Sequence, residues 1–209
     1  MVLVTSLAGT VHASDATTHW PKVDFAGKTV TSDARTTAYW VAANADNRSL
    51  PFVIIDKKNA QAFVFDANRQ LKGATPVLLG LAVGDDDPVN MSSREVSSLR
   101  PAERTTPAGR FDAEPGRNLK GEEIVWLDYA AKLAIHRLRP DFHHERRAHR
   151  LSTASAEDNR ISLGCIVVPV AFYEKVIRPL LGKSRSVVYV LPETRALQTM
   201  LGALQPGLH

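Results

Sequence analysis

The residues with the clearest chemical potential are Cys165 and His136. Cys165 is the only cysteine of the chain, and His136 stands upstream of it at the end of an apolar run. A lone thiol and a histidine that the fold brings beside it are the minimum for nucleophilic catalysis by cysteine, because the imidazole can take the thiol proton. The alternative is that Cys165 is a small buried apolar residue and that His136 is an ordinary polar residue at a strand end.

The residues beside the cysteine favour a turn that presents the thiol. Gly164 permits backbone conformations in which the thiol and neighbouring N–H groups face a site. Ser162 can form local hydrogen bonds that hold such a turn. An apolar run from Ile166 follows, and Pro169 then suits the first turn of a helix.

Three motifs together resemble the catalytic domain of the L,D-transpeptidases, also called the YkuD-like family. Residues 106–111, TPAGRF, are similar to the Thr-Pro-x-Gly-x-Phe segment of that family. His136 ends a strand, as the family's histidine does, and residues 162–165 are similar to its Ser-x-Gly-Cys motif. The resemblance covers about residues 50–192, which is most of the chain.

This resemblance implies a mechanism and a substrate. Cys165 would be the nucleophile, His136 the general base and then acid, and Ser162 an orienting residue, while the backbone N–H of Gly164 would belong to the oxyanion hole. The substrates would be peptidoglycan stem peptides, which form an acyl-enzyme and pass the acyl group to an amine of a second stem or of a wall-attached protein. No cofactor is implied.

Two residues depart from the family pattern. Leu163 stands where the family often has His or Tyr, and Val167 stands where it usually has Arg or Asn. Both positions are expected to shape the site or contact substrate. The interval from His136 to Cys165 is also longer than in many members. Two alternatives therefore stay open: a cysteine hydrolase on the same scaffold, and a non-catalytic module that binds the cell wall.

The segment 137–150 is unusually basic. Arginine forks suit carboxylates, so Arg137, Arg146 and Arg147 are candidates for a lid that holds the stem peptide over the thiol. A solvated basic loop is the equal alternative. The segment also contains His143, His144 and His149. We expect no metal site there, because adjacent histidines point apart on a regular element and no ligand-spacing motif accompanies them.

An acidic turn lies at residues 85–87, where three aspartates precede Pro88. A calcium loop needs oxygen ligands that are spaced further along the chain. The pattern therefore favours a solvated loop over a cation site.

Composition narrows the class of protein and its surroundings. The 209 residues are 44% hydrophobic and 23% charged, with a formal net charge of +4, which fits a soluble globular domain in an anionic environment. The sequence has no basic helix with interleaved aromatic residues, the pattern that would indicate nucleic-acid binding.

Residues 1–13 have the form of a weak or truncated export signal, which predicts a periplasmic or cell-envelope protein. The sequence contains no run of 18 apolar residues, so it predicts no membrane span.

Short apolar segments separated by turn residues predict a mainly β fold. The resembling family has a β-sandwich or mixed sheet with one helix after the cysteine. In this sequence that helix is predicted at residues 169–181. The predicted organisation has three parts: a leader at 1–35, a catalytic domain at 36–194 and a C-terminal tail at 195–209.

Overall fold

The computed structural model describes residues 22–88 and 91–204, and for residues 141–143 it describes the backbone alone. The predicted export signal at residues 1–13 lies outside the described residues. Within the described ranges, no helix is long and apolar enough to cross a membrane.

Within the described ranges, eight strands form one mixed sheet, and two short strands form a second one. The strands are β1 (Phe52–Asp56), β2 (Gln61–Phe65), β3 (Leu71–Pro76), β4 (Leu79–Gly80), β5 (Gly109–Arg117), β6 (Glu123–Asp128), β7 (Leu133–Arg137), β8 (Arg160–Ser162), β9 (Ile166–Val168) and β10 (Ser186–Val190). The large sheet has the order β3-β2-β1-β10-β5-β6-β7-β9, and β4 pairs with β8. The pairs β1–β10 and β7–β9 are parallel, and the other pairs in the large sheet are antiparallel.

The segment between β3 and β4 brings the two ends of the large sheet together. The N–H of Val77 donates to the carbonyl of Ala60, at the start of β2, over 2.9 Å. The next residue, Leu78, exchanges two hydrogen bonds of 2.8 and 2.9 Å with Val167 on the outer edge of β9. The sheet therefore nearly closes on itself.

One helical segment follows β9 and fills the inside of this sheet. It consists of α-helical Val170–Phe172, a π-helical turn at Tyr173–Ile177 and α-helical Arg178–Leu180. Tyr173, Ile177 and Leu181 are fully buried in the largest apolar cluster, together with residues from β1, β7, β9 and β10. Pro179 lacks the N–H that a regular helix needs at this point, so the ladder is irregular just before it.

Among the described residues, the helices α1 (Ser32–Asn44) and α5 (Leu197–Ala203) cover the opposite face of β1, β2 and β10. The three short α-helical pieces between them are α2 (Arg147–Arg150), α3 (Val170–Phe172) and α4 (Arg178–Leu180). Thr31 caps α1 by accepting the N–H of Ala34, so this helix begins inside the segment predicted as leader. Leu197 and Leu201 of α5 are buried in the second cluster, so the described part of the predicted tail packs onto the domain.

The basic segment folds over the outer side of β7 and β9. A 3-10 helix at Pro140–Glu145 leads into α2. Leu151, which follows α2, is buried in a third, small cluster with Leu78 and Val167. The predicted mainly β fold with a mixed sheet and a helix after the cysteine is confirmed.

Candidate active site

Cys165 lies in the turn that joins β8 to β9. Its Sγ is 3.5 Å from the carbonyl oxygen of Lys132, which immediately precedes β7. The register pairs Ile135 with Ile166, so Cys165 lies beside Ala134, whose N–H is within reach of the thiol. Burial raises the pKa of the Cys165 thiol, while the Ala134 N–H and two arginines act in the opposite direction. The thiol is therefore protonated at neutral pH until a base takes its proton.

His136 lies on β7, beside the strand that follows the cysteine. It pairs with Val167, two residues after Cys165, and alternate residues of a strand share a face, so Ala134 and His136 face the same side of the sheet. Arg139 and Arg147 act on the pKa of both His136 and Cys165, so the imidazole and the thiol share these charged neighbours. Nδ1 of His136 is 2.8 Å from the carbonyl oxygen of Arg137. Since a carbonyl can only accept, Nδ1 carries the hydrogen and Nε2 keeps its lone pair.

The electrostatic surroundings keep the imidazole neutral. Burial lowers the pKa of His136 to about 4, and the charges of Arg139 and Arg147 contribute, against the raising effects of the Arg137 carbonyl and Glu122. A neutral imidazole is the form that can accept a proton from a thiol. Arg139 and Arg147 also lower the pKa of Cys165, so they would favour the thiolate once the proton has left.

Ser162 and Gly164 shape the cysteine turn. Ser162 Oγ donates to the carbonyl of Cys165 at 2.6 Å and accepts the N–H of Gly164 at 3.1 Å. Gly164 has a φ of +134°, a conformation that side chains other than hydrogen rarely permit. In this conformation the N–H of Gly164 donates to Ser162, so it is not the free oxyanion-hole donor that the motif implied.

Two threonines upstream hold this turn from outside. Thr106 Oγ1 donates to the carbonyl of Gly164 at 2.8 Å and accepts the N–H of Gly80 at the same distance. A Cβ on Gly164 would lie 2.9 Å from the carbonyl oxygen of Thr105, so the two backbones are in close contact. Thr105 and Thr106, at the start of the segment that resembles Thr-Pro-x-Gly-x-Phe, thus fix the position of the cysteine turn.

A groove opens in front of the thiol. Its lining combines apolar side chains with the cysteine turn, and includes Met91, Val96, Leu99, Pro107, Leu133, Leu163, Gly164 and Cys165. Two charged residues, Asp87 and Lys132, also contribute to it. Leu163 therefore lines the groove, in agreement with a role in shaping it.

Val167 occupies a different place from the one its motif position implied. The side chain is fully buried and packs with Leu78 and Leu151. It contacts the third apolar cluster and not the groove. The expected contact of Val167 with substrate is therefore not present, because the chain between β3 and β4 covers this position.

The predicted lid arginines separate into two groups. Arg137 is next to His136 in β7 and points to the opposite side, where it binds Glu174 at 2.8 Å and lies over the ring of Tyr173. Its predicted role over the thiol therefore does not fit this geometry. Arg146 and Arg147 remain on the side of His136, and they line a cavity of about 330 Å³ with Leu138, Arg139, Pro140, Ala148 and His149. Arg147 is buried and paired with Glu145.

The sequence interpretation missed a buried ion network beneath the turn. Lys57 is fully buried and binds Asp85 at 2.8 Å, which makes Asp85 of the acidic turn an internal ligand and not a solvated one. Burial alone would raise the pKa of Asp85, but hydrogen bonds from Lys57 and Thr194 hold it well below its usual range. No local signal in the sequence distinguished Asp85 from its two neighbours, because its partner Lys57 lies in a distant turn.

Comparisons with known proteins give structural matches only. No family model and no curated protein matches the chain. Among solved structures, the catalytic domain of an L,D-transpeptidase from E. faecium matches at 16% identity and a TM-score of 0.38, over 67% of this chain and 95% of that one. The L,D-transpeptidase LdtMt1 in complex with imipenem matches at 14% identity and a TM-score of 0.42, over 68% of this chain and 58% of that one.

A third match is an L,D-transpeptidase from Xylanimonas cellulosilytica. It has 13% identity and a TM-score of 0.41, over 68% of this chain and 60% of that one. At such low identities and scores these matches carry no argument about chemistry.

Proposed function

We propose that this protein is an L,D-transpeptidase-like cysteine acyltransferase that acts on peptidoglycan stem peptides through an acyl-enzyme on Cys165. The observation that supports the proposal is the closeness of the two residues in the parallel pair β7–β9, where His136 pairs with Val167, two residues after Cys165, and Nδ1 of His136 is bound to the Arg137 carbonyl. This hydrogen bond leaves Nε2 free to act as the base.

The chemistry proceeds in two transfers. Nε2 of His136 takes the proton of the Cys165 thiol as Sγ attacks the carbonyl before the terminal D-alanine of a stem. The C–N bond then breaks, the imidazolium returns the proton to the leaving amine, and a thioester remains. The amine of a second stem or of a wall-attached protein attacks the thioester, His136 takes its proton, and the thiol is restored. We assign the oxyanion donor to the N–H of Cys165, since that of Gly164 donates to Ser162.

Substrate binding is assigned to the groove and to the basic cavity beside it. Leu163 and its apolar neighbours would pack against the aliphatic parts of a stem. Arg146 and Arg147 line the cavity on the side of His136, and a guanidinium suits a carboxylate of the stem. Such a substrate would place the protein in the periplasm or cell envelope.

A second candidate function is a non-catalytic module that binds the wall. The observation in its favour is the burial that raises the pKa of Cys165, since a protonated thiol is a poor nucleophile. A hydrolase would share the same acyl-enzyme and differ only in using water as the acceptor, so product analysis separates it from a transferase.

The test is covalent labelling by a carbapenem-type acylating probe, followed by intact-mass measurement. We expect one adduct on the wild type, no adduct on Cys165→Ala and slow labelling of His136→Ala, with circular dichroism showing that each variant is folded. A folded wild type that forms no adduct would favour the binding module. Purified peptidoglycan fragments would then distinguish transfer from hydrolysis.

A further inference from the structure

The ammonium group of Lys57 is buried next to the segments that hold the cysteine turn. Its Nζ donates to the carbonyl of Gly84 at 2.5 Å, to Oδ1 of Asp85 at 2.8 Å and to the carbonyl of Thr106 at 2.8 Å. All three ammonium hydrogens therefore have an acceptor. A buried lysine is costly unless it is paired in this way, so its position is strongly specified.

Three further charged groups complete a neutral quartet with Lys57. Glu193 lies 3.3 Å from Nζ and also forms an ion pair with Arg160. Asp85 accepts the backbone N–H of Glu193 and of Thr194, at 2.8 and 2.9 Å. The two cations, Lys57 and Arg160, thus balance the two carboxylates in a site that water barely reaches.

Two series of contacts connect the quartet to the cysteine turn. In the first, Lys57 donates a hydrogen bond to the carbonyl of Thr106, and the hydroxyl of Thr106 donates one to the carbonyl of Gly164. In the second, Arg160 donates to the carbonyl of Lys57 at 2.9 Å, and Arg160 is the first residue of the strand that ends at Ser162. Both flanks of Gly164 are thereby linked to Lys57, one through its ammonium and the other through its backbone carbonyl.

We propose that Lys57 and Thr106 are positioning residues for Cys165, and that the buried quartet keeps the turn in the geometry needed for acylation. This inference rests on the proposed function. Neither side chain touches the reacting atoms. Their effect passes through the carbonyl of Gly164, so loss of either link lets the turn relax and moves Sγ relative to His136.

The experiment measures two reactions of the same thiol. Carbapenem-type acylation requires the assembled site, whereas alkylation by iodoacetamide over a range of pH reports the exposure and apparent pKa of the thiol. Both are followed by intact mass on the wild type and on Lys57→Met, Thr106→Val and Thr106→Ser. The control is Arg110→Met, which removes another partly buried ion pair, to Asp46 at 2.7 Å.

We expect opposite changes in the two reactions. Lys57→Met and Thr106→Val should slow acylation at least about 10-fold, because misplacement of a reacting group is costly. They should also speed alkylation at pH 7 and lower the apparent pKa of the thiol, because a relaxed turn exposes Sγ to water. Thr106→Ser keeps the hydroxyl and should restore both rates. Arg110→Met, measured where it is folded, should change neither.

Some outcomes would overturn the inference. One is a folded Lys57→Met with wild-type acylation and an unchanged pH profile. If Lys57→Met does not fold, equal behaviour of Thr106→Val and Thr106→Ser overturns it. If the wild type is not acylated at all, the proposed function fails, and the alkylation profiles alone then decide whether the quartet positions the thiol.

Discussion

Nδ1 of His136 lies 2.8 Å from the carbonyl oxygen of Arg137, the residue that follows it. The third member of the candidate catalytic unit is therefore a backbone carbonyl and not a carboxylate side chain. This arrangement orients the ring and selects its tautomer without placing a negative charge beside it. The imidazole consequently stays neutral, with its pKa lowered by burial to about 4.

Replacing His136 should reduce acylation without removing the nucleophile. We expect His136→Gln to slow probe acylation by about 100-fold or more, the range that general acid–base catalysis supplies. Stopped-flow or intact-mass kinetics would measure it. An acylation rate of His136→Gln equal to that of the wild type would exclude His136 as the base.

The same histidine should make folding stability depend on pH. Its folded pKa of about 4 lies below the ordinary 6.5, so the unfolded chain binds the proton more tightly. The free energy of unfolding therefore keeps its full value above pH 6.5. It decreases as the pH falls toward 4, by an amount on the order of 3 kcal/mol. Urea unfolding of wild type and His136→Gln at several pH values checks this. The variant should lose less stability over this window, and parallel curves would contradict the assignment.

Gly164→Ala should disrupt the turn. A Cβ at φ +134° would lie 2.9 Å from the Thr105 carbonyl, so we expect a cost of about 1–3 kcal/mol for backbone strain alone, together with loss of acylation. Gly121→Ala is a matched control, because Gly121 has a φ of +79° with no atom within 4 Å of the added Cβ. It should lose some stability and keep its acylation rate. The measurements are thermal unfolding and probe labelling.

Placing at positions 163 and 167 the residues that the resembling family carries there should have different outcomes. Val167→Arg would bury an unpaired charge beside Leu78 and Leu151, and should destabilise the fold by more than about 3 kcal/mol. Leu163 faces the groove, so Leu163→His should leave the unfolding free energy nearly unchanged. Chemical denaturation compares them. Equal destabilisation by both substitutions would mean that one of these placements is wrong.

Arg146 should contribute to binding of an anionic stem. Arg146→Gln removes one exposed positive charge at the cavity near His136, so we expect KM for a stem peptide to rise several-fold with little change in kcat. Lys183→Gln removes the same charge at an exposed position in the loop before β10 and should leave KM unchanged. Equal effects of the two variants would indicate a general charge effect and not a site.

The turn around the candidate nucleophile was predictable because its signals are local. A single cysteine, the glycine before it and Ser162 define the turn from the sequence, and the structure joins them by direct hydrogen bonds. The predicted helix after the cysteine followed from Pro169 and apolar spacing, and it is confirmed.

Other features depend on contacts between distant segments, which spacing alone does not encode. Lys57 and Asp85 belong to different loops, and only the folded chain shows that they neutralise each other. The burial of Val167 likewise depends on Leu78, a residue far upstream. Arg137 lies in β7, and the side of the sheet that it faces follows from strand register, which the sequence leaves open.

The pairing of Leu78 with Val167 also covers one edge of the large sheet. β9 ends the order of the large sheet, and an exposed strand at such a position can pair with another chain. Leu78 occupies the N–H and carbonyl of Val167 on that side. A change that releases Leu78 would therefore uncover a strand edge beside the cysteine, and would make this protein prone to aggregate through its own candidate active site.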